Sequence, residues 1–361
     1  MTKKIKLFDP VIDEHERKKI IKVLDSHFWA SGAGIGYVEK FEKKFKNYIN
    51  SDECIALNSG TSALNLALSI HDLKNKEVIL PSLSFVSTAH TVIINGAKPI
   101  FVDVEPNSLC IDPEKIKKSI TKKTAAILPV HFGGMPCNIF EIMKICKDNN
   151  LIMIEDAAHA TGSSYKNKKI GKHGTAVCFS FHPVKNLAMP TGGLISINHK
   201  DHKKIRKSLL SKRWCGITDR KDAEYDVKEM GWNNYMDEFS AAIGLEQLKK
   251  LEKLNKKRQI IAKKYSEQIS LEKIMPFSKE CSYHLFWIRV KNRTKFRKKL
   301  NEKNIETGIH YRPIHTMTMY KNKIKLPTTE TIGKDIVSIP IHPNLSEHDT
   351  DIIIKNINEF S

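Results

Sequence analysis

Two ionisable residues follow neighbouring apolar segments in the middle of the chain. Asp156 ends a segment that begins with the apolar run 151–154, and Lys185 follows a second run, 176–181. Apolar runs of this length are typical of buried strands. An aspartate after one buried strand and a lysine beyond the next suit the cofactor pyridoxal phosphate (PLP). A lysine amine can form a Schiff base with its aldehyde, and a carboxylate can keep its pyridine nitrogen protonated.

The sequence around these two residues carries a longer pattern. It reads EDAAHA-x-G, then FSFHPVKN, and then a glycine pair at Gly192 and Gly193. This string resembles the DegT/DnrJ/EryC1/StrS family of sugar aminotransferases, and the resemblance continues along nearly the whole chain. It implies a fold-type I PLP enzyme in which Lys185 and Asp156 are catalytic. Many relatives carry an acidic residue before the glycines, whereas this chain has Pro190-Thr191, so the identity of the sugar stays open.

The resemblance implies further contacts with PLP. The turn 58–61 precedes an apolar segment, and the free N–H groups of a helix start favour a phosphate, although Ser or Thr there is more often only an N-cap. The implied contacts are Gly60, Thr61 and Ser180 at the phosphate, Phe85 stacked on the ring, His159 near the phenolic oxygen, and Asn233 reaching the phosphate of another subunit. This last contact predicts a homodimer with active sites at its interface. Tyr235 departs from the Arg or Asn usual in that segment.

Other residues are candidates for contact with the substrate. The glycine-bearing loop 28–34 resembles a family segment that passes near the active site, but it can also be read as an ordinary loop between helices. His182 fits either a substrate contact or a structural role. His310 and His315 are five residues apart with Pro313 between them, which excludes a helical metal site, and no metal is expected. The substrate candidates are Trp29, Ser31, His182, His310 and Tyr311.

Strand-like and helix-like segments alternate through most of the chain, which predicts an α/β fold with a mostly parallel sheet covered by helices. The resemblance implies seven strands. We expect a large PLP-binding domain at 1–250 and a small C-terminal α+β domain at 251–361, joined by a long helix at about 237–269. The segment 216–229 is predicted to be a polar loop. Ligands of such sheets bind at the carboxyl ends of the strands.

Composition limits the cellular setting and the partners. The formal charge is +20, but the lysines are spread along the chain, so nucleic acid is not an expected partner. The seven cysteines show no zinc or disulfide spacing. No apolar run approaches the roughly 20 residues that cross a membrane, and the first residues lack a signal-peptide pattern. We therefore expect a cytoplasmic protein without membrane contact.

The expected activity is amino transfer to a keto sugar carried by a nucleotide. The family suggests L-glutamate as the donor, and the expected kinetics are ping-pong through the Lys185 internal aldimine, with PLP and its pyridoxamine form (PMP) alternating. A sugar dehydratase of the same fold is an alternative, although those relatives carry His where Lys185 stands. Cysteine desulfurization and PLP binding by a non-catalytic regulator also stay open at this point. The sequence does not indicate the sugar, the nucleotide or the aminated carbon.

Overall fold

The computed structural model describes residues 4–321 and 323–361. The elements up to residue 213 are α1 (Glu14–Asp25), α2 (Tyr37–Ile49), β1 (Glu53–Leu57), α3 (Gly60–Ser69), β2 (Glu77–Pro81), α4 (Ser87–Ile94), β3 (Lys98–Val102), α5 (Pro113–Ser119), β4 (Thr124–Ile127), α6 (Ile139–Asp148), β5 (Ile152–Asp156), β6 (Ser164–Tyr165), β7 (Lys168–Lys169), β8 (Ala176–Ser180), β9 (Gly193–Ile197) and α7 (His202–Arg213). The later elements are β10 (Ile217–Lys221), β11 (Glu224–Val227), α8 (Glu238–Gln268), β12 (Phe286–Arg289), α9 (Arg293–Glu302), α10 (Pro327–Asp335), β13 (Ile336–Ile339) and α11 (Glu347–Phe360).

Seven of the described strands form the central sheet, in the order β1-β9-β8-β5-β4-β2-β3. Strand β9 runs antiparallel to both of its neighbours, while β8, β5, β4, β2 and β3 pair in parallel. The predicted α/β class with a mostly parallel sheet is confirmed. Because β5 and β8 are parallel neighbours, Asp156 at the end of one strand lies beside Cys178 of the other. This pairing brings Asp156 and the segment after β8 to the same edge of the sheet.

Apolar side chains cover both faces of this sheet, because successive residues of a strand point to opposite sides. In β5, Met153 belongs to one buried cluster and Ile154 to the other. In β2, Ile79 contributes to the first cluster, and Val78 and Leu80 contribute to the second. Burial on both faces accounts for the near-continuous apolar runs in the sequence. It also holds the strand ends rigidly where the functional residues lie.

Local sequence signals fix the helices that flank the sheet. Helix α1 begins with a capping box between Asp13 and Glu16, which satisfies backbone N–H groups of its first turn. Helix α2 buries one apolar face, which includes Phe41 and Phe45. Ser59 caps α3 by accepting a hydrogen bond from the backbone N–H of Ser62. The cap fixes where α3 starts, directly after β1.

The chain beyond α7 differs in part from expectation. The segment 216–229, predicted to be a polar loop, instead contains the antiparallel hairpin of β10 and β11. A two-residue turn at 222–223 joins these short, charged strands. Before His310, Gly308 and Ser338 form an isolated antiparallel bridge. Helix α8 matches the predicted long helix and runs across residue 250, and the division into two domains remains a prediction.

The C-terminal segment contains a second, two-stranded sheet. Strands β12 and β13 form an antiparallel pair, and α8, α9 and α11 pack around it. Ile5 pairs with Ile305, so the start of the chain also lies on this segment. Among the described residues, no helix is long and apolar enough to cross a membrane.

Candidate active site

A cavity of about 330 Å³ opens at the carboxyl ends of β5 and β8. Its volume lies in the range of small-molecule sites. Ten of the predicted site residues line it, namely Gly60, Thr61, Phe85, Asp156, His159, Ser180, His182, Lys185, His310 and Tyr311. The first and last of these residues, Gly60 and Tyr311, are 251 positions apart in the sequence, and the fold brings all ten into one cavity.

Asp156 lines the cavity and is almost completely buried. The hydroxyl of Thr88 donates to Oδ2 at 2.9 Å, and the backbone N–H of Ala158 donates to Oδ1 at 3.1 Å. Burial raises the pKa of this carboxyl, against the lowering effects of these two hydrogen bonds and of the Lys185 charge. A buried carboxylate without full compensation attracts a cationic or N–H-bearing group.

Lys185 lies in the segment between β8 and β9, and its amine faces the same cavity. Nζ is 3.3 Å from Nε2 of His284. Burial lowers the pKa of Lys185 to about 8, while the charge of Asp156 acts in the opposite direction. A substantial fraction of this amine is therefore neutral near pH 8. Only a neutral amine can attack an aldehyde or accept a proton.

The start of α3 provides an anion-binding end to the cavity. Gly60 and Thr61 are its first residues, and N–H groups in the first turn of a helix have no partners within the helix. The backbone of Gly60 lies against Ser180, since a Cβ at Gly60 would come within 2.7 Å of the Ser180 Cβ. The absent side chain leaves this end open. A phosphate fits here because the helix dipole adds positive potential.

Three aromatic side chains also line the cavity. His159 is buried and lies 6.0 Å from Tyr311, ring centre to ring centre, in a stacked arrangement. The backbone N–H of Gly133 donates to Nδ1 of His159, so the proton of the neutral ring is on Nε2, which donates to the Tyr311 hydroxyl at 3.1 Å. Phe85 remains 54% exposed at the cavity mouth and can cover a flat ligand. Burial and the Lys185 charge keep the pKa of His159 well below its usual range.

The two predicted histidine contacts occupy different surroundings. His182 is exposed at the rim of the cavity. His310 is half-buried, and its Nδ1 is 2.9 Å from the Ser338 hydroxyl. Burial and the nearby Lys185 charge lower the pKa of His310 to about 4, so this ring is neutral. His315 does not line the cavity, and its Nδ1 is 2.6 Å from the Ser82 hydroxyl.

Three predicted residues do not line this cavity within the single chain. Trp29 is 51% exposed and packs beside Phe239. Ser31 accepts a hydrogen bond from the backbone N–H of Ala33. Asn233 is exposed, and its carbonyl accepts a hydrogen bond from Asn58. The role of Asn233 across a subunit interface stays a prediction, as do the substrate contacts of the other two.

Sequence reasoning missed three residues of the site. His284 reaches Lys185 from the C-terminal segment, Thr88 holds Asp156, and Phe8 stacks on His284 with ring centres 5.5 Å apart. Each stands alone in its segment, without a motif or a spacing that indicates chemistry. An apolar run after His284 predicts a strand, but it does not indicate what lies beside the first residue.

The residues present fit PLP. The space that a Cβ at Gly60 would fill lies at the phosphate end, and the partly compensated carboxylate of Asp156 suits a protonated ring nitrogen. Lys185 supplies an amine with a lowered pKa at the same cavity. Together with the sheet topology, these features define a PLP-dependent enzyme of fold type I.

Comparison with known proteins identifies the family. The profile of the DegT/DnrJ/EryC1/StrS aminotransferase family matches residues 10–358, and the chain belongs to this family. The spore coat polysaccharide biosynthesis protein SpsC of Bacillus subtilis is 32% identical, with 97% of this chain and 95% of SpsC aligned.

Solved structures support the same conclusion. PseC of Helicobacter pylori, an aminotransferase involved in the biosynthesis of pseudoaminic acid, has a TM-score of 0.93 and 27% identity, with 99% of both chains covered. Spr1654 of Streptococcus pneumoniae, which is known in PMP and PLP forms, has a TM-score of 0.94 and 25% identity over 99% of this chain and 98% of its own. The protein is therefore a PLP-dependent sugar aminotransferase, which uses a sugar substrate and an amino donor.

Proposed function

We propose that the enzyme transfers the amino group of L-glutamate to a keto sugar carried by a nucleotide. The observation that carries this proposal is the common cavity of Lys185, Asp156 and the start of α3, which combines a reactive amine, a buried carboxylate and an anion site. When bound, PLP supplies an aldehyde that takes up amino groups and a ring that withdraws electrons from the attached carbon. The chain's own residues then bind, orient and transfer protons.

Lys185 is the proposed proton carrier. Its pKa of about 8 lets the amine accept a proton from the α-carbon of the donor and return one to the cofactor side near neutral pH. Asp156 holds the ring nitrogen in its protonated form, because a carboxylate beside an N–H favours the charged state. Its own orientation is fixed by Thr88 and Ala158.

The remaining cavity residues are proposed to position the cofactor. Gly60, Thr61 and Ser180 bind the phosphate at the start of α3. Phe85 covers the ring, and offset stacking of aromatic rings contributes about 0.5–1.5 kcal/mol. His159 donates no hydrogen bond at Nδ1 and directs its Nε2 proton to Tyr311. The pair is a fixed wall beside the ring.

Two observations favour a nucleotide-linked substrate. The formal charge of +20 steers anionic substrates toward the protein over long distances. PseC is involved in the biosynthesis of pseudoaminic acid and SpsC in that of spore coat polysaccharide, and membership of the same family favours a sugar carried by a nucleotide here. His182, His310 and Tyr311, on the rim and wall of the cavity, are the proposed contacts of the sugar.

We also propose a homodimer in which Asn233 of one subunit reaches the phosphate site of the other. Asn233 is exposed outside the cavity of its own chain, and the adjacent hairpin of β10 and β11 carries exposed apolar side chains. Tyr225 in the hairpin is 60% exposed, and Met230, between the hairpin and Asn233, is 76% exposed. We expect Met230→Asp to shift the protein toward monomers in sedimentation experiments and to reduce PLP affinity. A monomeric wild-type protein with full PLP affinity would contradict this part of the proposal.

Analysis of the reaction product identifies which sugar the enzyme accepts. The enzyme, loaded with PLP and L-glutamate, is incubated with a set of nucleotide-linked keto sugars, and mass spectrometry measures the exchange of a ketone oxygen for an amino group. Free keto sugars serve as controls for the nucleotide requirement. Amination of free sugars at the same rate would refute the nucleotide linkage, and loss of a hydroxyl without gain of nitrogen would indicate the dehydratase.

A further inference from the structure

The amine of Lys185 has one close polar neighbour from the C-terminal segment of the chain. Nε2 of His284 lies 3.3 Å from Nζ of Lys185, which is hydrogen-bond distance. His284 is almost completely buried, and its other ring nitrogen, Nδ1, has no hydrogen-bond partner among the described residues. The buried His284 ring therefore makes its side-chain hydrogen bond through Nε2, to Lys185.

Two rings hold His284 in place. Phe8 stacks on it with ring centres 5.5 Å apart and an interplanar angle of 17°. His159 lies 4.4 Å from it on a tilted plane, and His159 is itself fixed by Gly133 and Tyr311. A buried ring in contact with two other rings keeps its plane, so Nε2 of His284 points in a constant direction.

The charge state of His284 follows from its surroundings. Burial lowers the pKa of His284 well below its usual range, and the positive charges of Lys185 and Arg258 act in the same direction. The ring is therefore neutral at physiological pH and does not act as the base that takes the proton from Lys185. A neutral Nε2 without a proton accepts a hydrogen bond from Lys185, and the ring proton is then on Nδ1.

We propose that His284 is a positioning residue for Lys185. It accepts a hydrogen bond from Nζ and thereby turns the remaining N–H groups, or the lone pair of the neutral amine, toward the cavity. The inference rests on the proposed function, which assigns proton transfer to Lys185. It adds that the C-terminal segment, through His284, sets the direction of the amine, and that Phe8 at the start of the chain supports this arrangement.

Several charged or titratable groups surround the pair, and the test accounts for them. Asp156 raises the pKa of Lys185. Asp156 and the other groups stay unchanged in every variant, so a shifted midpoint reports the loss of the His284 acceptor alone. The groups that face Lys185 or His284 are Asp156, His159, His182, Arg258 and His310. A hydrogen bond accepted from an ammonium favours its charged form. Removal of the His284 acceptor therefore lowers the pKa of Lys185 further.

The experiment measures Lys185 in the PLP-free enzyme. Competitive amine labelling across a pH series, read by mass spectrometry of the peptide that contains Lys185, gives the labelling midpoint. His284→Phe keeps a ring in contact with Phe8 and His159 but removes the acceptor. His284→Gln places a side-chain oxygen near the position of Nε2, whereas the shorter His284→Asn does not. His342→Gln is the matched control, since His342 is also buried and its Nε2 hydrogen-bonds the Lys6 carbonyl at 3.1 Å.

We expect the midpoint to fall by about one pH unit in the Phe and Asn variants, as the loss of a hydrogen bond to a charged group predicts. The Gln variant and His342→Gln keep the wild-type midpoint. In the PLP-loaded enzyme, kcat of the Phe variant falls about 10–100-fold with KM for the donor little changed, because a misdirected amine slows proton transfer without weakening binding.

A wild-type midpoint in both the Phe and Asn variants would overturn the proposal, and so would an equal shift in His342→Gln. If the Phe variant does not fold, judged by its thermal melt, the Gln and Asn variants decide by the same criterion. Because labelling needs neither donor nor sugar, the test is independent of the assigned reaction. Failure of L-glutamate as donor, with the expected labelling pattern, would refute the proposed function and leave the His284 contact standing.

Discussion

The substitution Asp156→Asn is expected to change stability and function in opposite directions. The amide retains the size of the carboxylate, and its Oδ1 still accepts from the backbone N–H of Ala158. Its NH2 group can donate to Thr88, whose hydroxyl then donates to Ser84, 2.8 Å away, instead of receiving that hydrogen bond. These hydrogen bonds are thereby all preserved, two of them with donor and acceptor exchanged, so we expect the variant to fold.

The PLP-free variant should be more stable than the PLP-free wild type. Because burial raises the pKa of Asp156, the folded chain holds this proton more tightly than the unfolded chain. The ionised carboxylate therefore lowers the free energy of unfolding. This cost is fully present above the folded pKa and disappears below about pH 4, where both the folded and the unfolded chain are protonated at this residue. Removing one incompletely compensated buried charge is worth on the order of 1 kcal/mol. We expect a rise in Tm of about 2 °C at pH 7 and none near pH 3.

Binding of PLP should weaken in the same variant. A hydrogen bond with a charged partner contributes about 1.5–3 kcal/mol, which corresponds to about a 10- to 150-fold rise in Kd. Activity falls further, because the ring nitrogen is no longer held in its protonated form. Thermal melts of the PLP-free protein and a PLP titration measure the two effects separately.

Asp103→Asn is the matched control for this pair of measurements. Asp103 is also a buried aspartate that follows a strand of the sheet, and it accepts hydrogen bonds from Thr328 and Thr329. The amide cannot accept all of them, so we expect a lower Tm with unchanged PLP affinity. The reasoning is refuted if Asp156→Asn lowers the Tm of the PLP-free protein, or if its PLP affinity equals that of the wild type.

Three further predictions concern the same region. Gly60→Ala places a Cβ 2.7 Å from the Cβ of Ser180, and we expect about a tenfold rise in the Kd for PLP; an unchanged titration would contradict the anion site. The buried carboxylate of Glu155 accepts hydrogen bonds from His131 and from the backbone N–H of Gly174. Glu155→Gln places an amide N–H against one of these two donors, and we expect the Tm to fall by about 5 °C in thermal melts. An unaltered melt would argue against the buried His131–Glu155 pair. Amine labelling of Lys185 in the PLP-free enzyme should be half-maximal near pH 8, and a midpoint above pH 10 would show that burial does not lower its pKa.

The sheet and most of its site could be predicted from the sequence because each signal was local. Apolar runs before Asp156 and Lys185 marked strands that are buried on both faces, and parallel pairing placed their ends together. The start of α3 was marked by small residues and a capping Ser59. Ten residues of the cavity followed from this local order and from the family pattern.

The residues that could not be predicted depend on contacts between distant segments. His284 meets Lys185 across 99 positions, and Phe8 stacks on His284 from the start of the chain. Neither contact leaves a periodicity or a spacing in the sequence. The hairpin at 217–227 was missed for a different reason, since its strands are short, rich in charged residues and largely exposed, so no buried face marks them.

The central claim is that Lys185 holds PLP and that L-glutamate donates the amino group. The most direct test is the visible absorption spectrum of the protein with PLP, before and after addition of L-glutamate, alongside Lys185→Ala. We expect a yellow band for the wild type that bleaches with L-glutamate, and no lysine-bound cofactor in the variant. A band that L-glutamate leaves unchanged would contradict the donor assignment, and an identical band in Lys185→Ala would contradict the role of the lysine.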